Sequence, residues 1–521
     1  MKKTTYSIVG ITLIYLLLPS CYQDMGNYDY VDYNKIKIAG MDPAKSISYV
    51  TLGDTIKIIP LIRWRYPEKD TTEKAFEFRW ELNDSIISTK RNLEFVPIKK
   101  EEGAPCLLYV TEKQTGIVSV GKFYITVTTT PISNGWTILS DKEDTSILSY
   151  IRRDIKWGID NQPYYEYVEY KDIYATMYPG EILGKNPKSL FYVIIDAFAD
   201  EILVCQEPEQ CVYLSGDDFS KTINLKDEFH GNRYPKGFIP KDFIDGGRCT
   251  YLAGENGEVY WKLNPERYGK LHLVNFIPIP LYHQKGSKIS FFPDYRSYGT
   301  EMAHMYDVLN NRLLAHYTVF HSTGNTLGGN INFVNKTKPE DIADLNNLNG
   351  YKLIYMGGEN PNFILILKHE TTGDYYYHTY QKSGMPSSLT VQLINHSQEI
   401  FAGNSYISEN SVFKQLRRKV YLFFSEGSKL YFYDKTSGTV KQYHDFDSGR
   451  IVKIAADAPE NELAIALDNG DLYICSTSLD VLAAEKPGSE GGILHHTSGL
   501  GKIVDVIWKY GGFMRYILNM Y

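Results

Sequence analysis

Leu463-Ala464-Ile465-Ala466-Leu467-Asp468-Asn469-Gly470-Asp471-Leu472-Tyr473-Ile474-Cys475 is the stretch on which the fold turns. Two apolar runs flank Asp468-Asn469-Gly470. Asn and Gly both tolerate positive φ, so Asn-Gly between two strands is the strongest short-range sign of a hairpin. The same unit recurs upstream. Lys419-Val420-Tyr421-Leu422-Phe423-Phe424 leads through Glu426-Gly427 to Lys429-Leu430-Tyr431-Phe432-Tyr433. Thr250-Tyr251-Leu252-Ala253 leads through Asn256-Gly257 to residues 258–263, and residues 353–356 lead through Gly357-Gly358 to 363–367. Ile202-Leu203-Val204-Cys205 and Cys211-Val212-Tyr213-Leu214 make one more pair. The intervals are irregular, some tens of residues each. That fits a β-propeller with insertions in its loops better than a strict solenoid. The final strand, residues 501–508, is placed to close a ring against the segment that starts at Trp136. Roughly six to eight blades are expected, about seven, over residues 136–521. A second and third β-sandwich is the alternative. Helix signals are few; residues 339–348 are the one short helix expected.

Upstream of the turn-rich junction Thr130-Pro131-Ile132-Ser133-Asn134-Gly135 the texture differs. Short alternating strands are expected at residues 35–38, 47–50, 55–59, 76–82, 85–88, 92–96, 106–111 and 122–128. Separated by Gly, Asp and Asn turns, they suggest an immunoglobulin-like sandwich over residues 36–131. The fold class is therefore all-β: an Ig-like β-sandwich, then a β-propeller-like domain. Trp80, on a central strand, is expected in the core.

The first residues carry a targeting pattern. Lys2-Lys3, an apolar run over residues 6–18 and Pro19-Ser20-Cys21 read as a bacterial export signal. The run is shorter than the roughly 20 residues that a spanning helix needs. Residues 1–20 are expected as signal peptide, Cys21 as the lipidated N-terminus, and residues 22–35 as a polar tether.

The N-terminal part resembles the PKD-like lipoproteins of Bacteroidota. The resemblance rests on the lipobox at Cys21, on Asp24-Met25-Gly26-Asn27-Tyr28-Asp29-Tyr30, and on Phe78-Arg79-Trp80 followed by Ile86-Ile87-Ser88. It covers residues 21–130 by motif. The family's usual opening has Lys where Met25 stands. Such lipoproteins commonly accompany a SusC-like TonB-dependent transporter and a SusD-like lipoprotein. The resemblance implies an accessory subunit of a nutrient-uptake system for glycan or peptide, lipid-anchored in the outer membrane and facing the cell surface. It implies no catalytic residues.

Composition suits a β-rich protein. The chain has 521 residues and a formal net charge of -7, which argues against non-specific nucleic-acid binding. Tyr is over-represented, 43 against 23 Phe and 6 Trp. Tyrosine suits pleated half-buried surfaces, and its ring also offers a stacking face with a polar edge. The densest clusters are residues 164–170 and 374–380. Tyr164, Tyr165, Tyr167, Tyr375, Tyr376 and Tyr377 are the candidate ligand or partner contacts, with packing between blades as the rival reading. Strand alternation puts Tyr165, Tyr167 and Glu169 on one face and Tyr164, Glu166, Val168 and Tyr170 on the other. Phe291-Phe292-Pro293-Asp294-Tyr295 reads as a loop, with packing as the favoured role and a place at a propeller mouth as the other.

Motifs for other chemistries are missing. No Gly-x-Ser-x-Gly, His-Glu-x-x-His or P-loop occurs. No local pattern selects a carboxylate pair for glycoside hydrolysis. Asp445-Phe446-Asp447-Ser448-Gly449 lacks the Gly and terminal Glu of a calcium loop. His495 and His496 are adjacent and would face opposite sides of a strand. No metal and no cofactor are expected. Cys205 and Cys211 either form a disulfide across a turn or stand as two thiols. A surface hydrolase or lyase on a propeller scaffold is the alternative function.

Overall fold

The computed structural model describes residues 33–38, 47–51, 55–97, 101–128, 134–157, 163–194, 200–245, 249–263, 272, 274–281, 286–293, 302–320, 326–331, 342–359, 361–383 and 392–510. The expected signal peptide, Cys21 and nearly all of the tether lie outside them. The chain divides into two compact units, Met1–Val127 and Thr128–Tyr521.

The first unit is all β. Its main sheet has five strands, Ile47–Thr51, Val118–Thr128, Glu101–Glu112, Phe76–Leu82 and Ser85–Ser88, in that spatial order. Ile36–Ile38 pairs with Ile62–Trp64, and Ile56–Ile58 with Leu93–Phe95. Phe76–Leu82 shows the expected period of two: Phe76, Phe78, Trp80 and Leu82 are buried, while Glu77 and Arg79 are exposed. Trp80 is fully buried, and its indole N–H donates to the Lys90 carbonyl at 2.9 Å. The folded unit starts before residue 36. Asn34 is buried, accepts the Tyr66 N–H at 2.8 Å and donates to the Tyr66 carbonyl at 3.0 Å.

The second unit is a β-propeller. Its described strands form seven antiparallel sheets, each built from consecutive strands except the first. Blade 1 orders Pro163–Tyr170, Thr145–Trp157, Gly135–Lys142 and Lys502–Lys509. The last strand of the propeller thus closes on the first, with Trp136 opposite Trp508. This is the expected closure. The inner strands of blades 2 to 7 are Ser189–Ile194, Pro240–Asp245, Ile289–Phe291, Tyr351–Glu359, Phe413–Gln415 and Ile451–Ala456. Blade 3 has three regular strands; Ile277 and Leu281 continue it by donating to the Trp261 and Val259 carbonyls.

The core sits between blades. Among the described residues there are apolar clusters at every junction around the ring. Leu139, Tyr150 and Val204 join blades 1 and 2, and Leu203, Leu252 and Phe229 join 2 and 3. Tyr251, Ala303 and Met305 join 3 and 4, and Ala315, Leu353 and Leu365 join 4 and 5. Ile366, Leu422 and Phe424 join 5 and 6, while Phe423, Ile465 and Cys475 join 6 and 7. Trp136, Ala464 and Val506 complete the circle between 7 and 1. No blade buries both faces alone, so the closed ring is the unit of stability.

The helix expected over residues 339–348 is not formed in its described part. Residues 342–348 make turns instead. The Leu313 N–H donates to the Leu345 carbonyl and the Leu348 N–H to the Asn311 carbonyl, so their hydrogen bonds go to the blade 4 hairpin. Ala343, Leu345 and Leu348 then plug the junction of blades 4 and 5. Among the described residues the α-helices are the single turns Ile173–Met177 and Leu479–Ala483, and no helix is long and apolar enough to cross a membrane.

Candidate functional site

The inner strands of blades 1, 2, 3, 6 and 7, with the chain just past that of blade 4, enclose a cavity of about 430 Å³ on the propeller axis. Its volume lies within the ordinary range for small-molecule sites. Aromatic rings supply much of the wall. Phe191 and Phe243, from blades 2 and 3, stack with centroids 5.6 Å apart, and Tyr510 lies against Tyr192 at 4.8 Å. Phe292 and Pro293, from the loop expected at residues 291–295, line the same space.

Charged groups alternate with these rings. Asp242, Asp457 and Glu460 line the cavity, as do Lys414, Arg417 and Lys453. The carboxylates are tied to backbone. Asp242 accepts the Phe292 N–H from blade 4 at 2.6 Å and its neighbour Phe243 N–H at 2.8 Å. Burial still pushes its carboxyl up to about 6, against these N–H groups and Lys453. Asp457 accepts the Asn461 and Glu462 N–H groups at 2.8 and 2.9 Å, and Arg153 Nη1 at 2.7 Å. Glu460 takes the Arg417 and Arg418 N–H groups of blade 6, one on each oxygen, at 2.8 and 2.7 Å. Just outside the cavity lining, Asp505 accepts the Leu190 N–H of blade 2 at 2.9 Å and pairs with Lys453 at 2.8 Å. These acids clip one blade to the next. The same contacts fix the shape of the space they line.

A second polar node joins blades 2 and 3. Buried Glu228 pairs with fully buried Lys262 at 2.8 Å and with His272 Nδ1. His272 Nε2 lies 2.7 Å from Glu201. Although burial opposes its charge, the Glu201 and Glu228 carboxylates raise the His272 imidazole to about 9.

The six candidate tyrosines do not meet at one site. Tyr164 and Tyr165 are exposed on the outer strand of blade 1, 56% and 44% accessible, where Arg153 lies over the Tyr165 ring. Tyr167 is packed against blade 7: it donates to Glu462 at 2.9 Å and stacks on His495 at 5.0 Å. Glu169 faces the same blade and accepts from Thr497 at 2.7 Å. Tyr375 and Tyr377 are buried between blades 5 and 6, and Tyr376 packs on Tyr351. Alternation holds, but the second face of each strand meets a neighbouring blade. None of the six lines the cavity.

The Cys205–Cys211 disulfide is not formed. Both are free buried thiols in the cluster between blades 2 and 3, and Cys211 Sγ accepts the Gln206 N–H at 3.5 Å. His495 and His496 do split, one onto Tyr167 and the other onto Tyr473. Asp445 closes its turn by accepting from Ser428 and the Asp447 N–H. Among the described residues no group of three or more His, Cys, Asp or Glu could hold a metal.

The PKD-like family model matches residues 21–187. No curated protein matches the chain. Among solved structures, a quinonprotein alcohol dehydrogenase-like protein from Bacteroides thetaiotaomicron aligns at 11% identity and a TM-score of 0.42, over 92% of this chain and 100% of its own. The WD40 domain of Pan2 from Neurospora crassa aligns at 8% identity and 0.37, over 61% of this chain and 82% of its own. BamB from Moraxella catarrhalis aligns at 8% and 0.32, over 70% and 89%. At such identities nothing about activity passes from them to this chain. The match to the PKD-like family covers the first unit from residue 21 and runs on through the N-terminal strands of blade 1, ending before blade 2 begins at Ser189.

Proposed function

We propose that this chain is a lipid-anchored outer-membrane lipoprotein, an accessory subunit of a SusC/SusD-type TonB-dependent uptake complex for glycan or peptide. It acts at the cell surface by binding ligand or docking on its partners. The export pattern ending at Cys21 and the family match that begins at the same residue support the anchor. The observation that carries binding over chemistry is the state of the cavity carboxylates. Asp242, Asp457 and Glu460 each accept two backbone N–H groups. A hydrolase needs two carboxylates poised to exchange protons with substrate. Burial raises the Asp242 carboxyl to about 6, but no second carboxylate of the three is left untied to act with it.

The test is a pulldown of the tagged full chain from detergent-solubilised membranes of its own host. A TonB-dependent transporter should copurify, and Cys21→Ala should move the chain out of the membrane fraction. Recovery of the chain alone, from membranes that contain such transporters, would overturn the partnership. Protease digestion of intact cells should cleave it; a shielded chain would place it on the periplasmic side.

A further inference from the structure

We infer that the central cavity binds a short, uncharged oligosaccharide. The inference rests on the binding role proposed above and names the ligand for it. The wall excludes a strongly charged guest. Lys453 sits 2.8 Å from Asp505, and Arg417 Nε is 3.7 Å from Glu460. An anion entering would face Asp242, Asp457 and Glu460. A cation would face Lys414, Arg417 and Lys453. Either would leave a like charge poorly solvated, which is costly.

A neutral polyol avoids both penalties, because each hydroxyl both donates and accepts. The carboxylate oxygens of Asp242 keep lone pairs beyond the one N–H each accepts. Among the described residues the Arg417 guanidinium makes no hydrogen bond. It has only the 3.7 Å approach to Glu460, and its side chain is 27% exposed. It therefore has donors to give. The half-buried rings of Phe191, Phe243 and Tyr510 supply apolar faces for the C–H side of a sugar ring. Donors, acceptors and flat apolar faces converge within one cavity of about 430 Å³. Because the wall is clipped blade to blade, the ligand meets a preformed site, and little binding energy goes into ordering it.

Calorimetric titration of the full chain tests this with maltotriose, cellotriose, xylotriose and mannotriose, beside trigalacturonate and triglycine. At least one neutral trisaccharide should bind. Arg417→Ala keeps the backbone N–H that Glu460 accepts, and Phe243→Leu keeps an apolar residue. Each should weaken that binding by about tenfold or more, the loss expected for a charged hydrogen bond or a stacking face. Circular dichroism of both variants checks that the propeller is intact. Binding by none of the four neutral sugars overturns the inference. So does binding that survives both substitutions, or binding confined to trigalacturonate or triglycine. A chain that copurifies with a transporter yet binds no neutral sugar refutes this inference and leaves the partnership standing.

Discussion

Arg153 shows how much a single residue can hold in a ring. It leaves the second strand of blade 1 and meets two acids of blade 7, Asp457 at 2.7 Å and Glu462 at 2.9 Å. All three side chains are nearly inaccessible, at 6%, 0% and 2%. Burial raises the Glu462 carboxyl while Arg153 pulls it back down. Tyr167 donates to the same Glu462, and the guanidinium lies 4.3 Å from the Trp508 ring centre. Removing one member of a buried ion cluster strands the others, at a cost of about 3–5 kcal/mol. Arg153→Met should therefore lower the unfolding free energy of the propeller, read from urea titration, by that amount. Adding Asp457→Asn and Glu462→Gln should recover part of the loss, because the stranded charges are then gone. If Arg153→Met alone unfolds at the wild-type midpoint, the cluster does not hold the seam.

At the scale of elements, the hairpin at Asn469-Gly470 does more than turn the chain. Gly470 has φ +89°, and a Cβ there would lie 2.4 Å from the Gly501 carbonyl oxygen, at the start of the closing strand. Gly427, in the matching hairpin of blade 6, has φ +59° and open space around it. Gly427→Ala should cost about 1 kcal/mol from backbone conformation alone. Gly470→Ala adds a clash with backbone that must move, worth a further 1–3 kcal/mol or so. Urea titration of both variants separates the terms; equal losses would show that the hairpin does not set the closing strand. This contrast also marks what the sequence made legible. Five hairpins announce themselves by apolar runs around a turn, and from them the propeller follows. Blade 4 does not: its strands Met302–Asp307 and Arg312–Phe320 contain buried histidines and flank Val308-Leu309-Asn310-Asn311, a turn without glycine. Of the cavity wall the sequence singles out only the loop at Phe292-Pro293, and there packing is the favoured role. Asp242, Arg417 and Lys453 come from three inner strands or their ends, far apart in sequence, and each looks like an ordinary strand charge. Their meeting depends on ring closure, which no local pattern encodes. The tyrosine clusters stood out because they are local, and most of their rings turned out to serve packing.

For the whole molecule, blade 4 is the place where closure depends on pH. It meets blade 3 through His316, whose Nδ1 lies 2.9 Å from the Tyr251 hydroxyl, and blade 5 through His304, whose Nδ1 lies 3.2 Å from the Tyr380 hydroxyl. In blade 5, His378 Nε2 lies 3.3 Å from His396 Nδ1, and His378 Nδ1 lies 3.0 Å from Gln398 Oε1. Burial lowers all three imidazoles, His304 to about 3 and His316 and His378 to about 4. In the unfolded chain each titrates near 6.5. The unfolded state therefore takes up protons first as pH falls, and stability drains from below pH 6.5 down toward 4. At pH 5 each histidine costs about 2 kcal/mol relative to pH 7. Asp242 opposes this: its folded value of about 6 lies above the unfolded one, so protonation on acidification favours the fold by about 1 kcal/mol over the same interval. His272, raised to about 9, stabilises fully only below pH 6.5 and loses that stabilisation as pH climbs from there through 9, so it too favours the fold by about 1 kcal/mol between pH 7 and pH 5. The net expectation is a loss of about 4 kcal/mol between pH 7 and pH 5, concentrated on the two faces of blade 4. Urea unfolding at the two pH values, followed by near-UV circular dichroism, measures it. His304→Gln, which cannot be protonated in this range, should flatten the acid slope by about 2 kcal/mol. A midpoint that stays level or rises on acidification would mean that these imidazoles are not buried neutral, and that blade 4 is not seated through them.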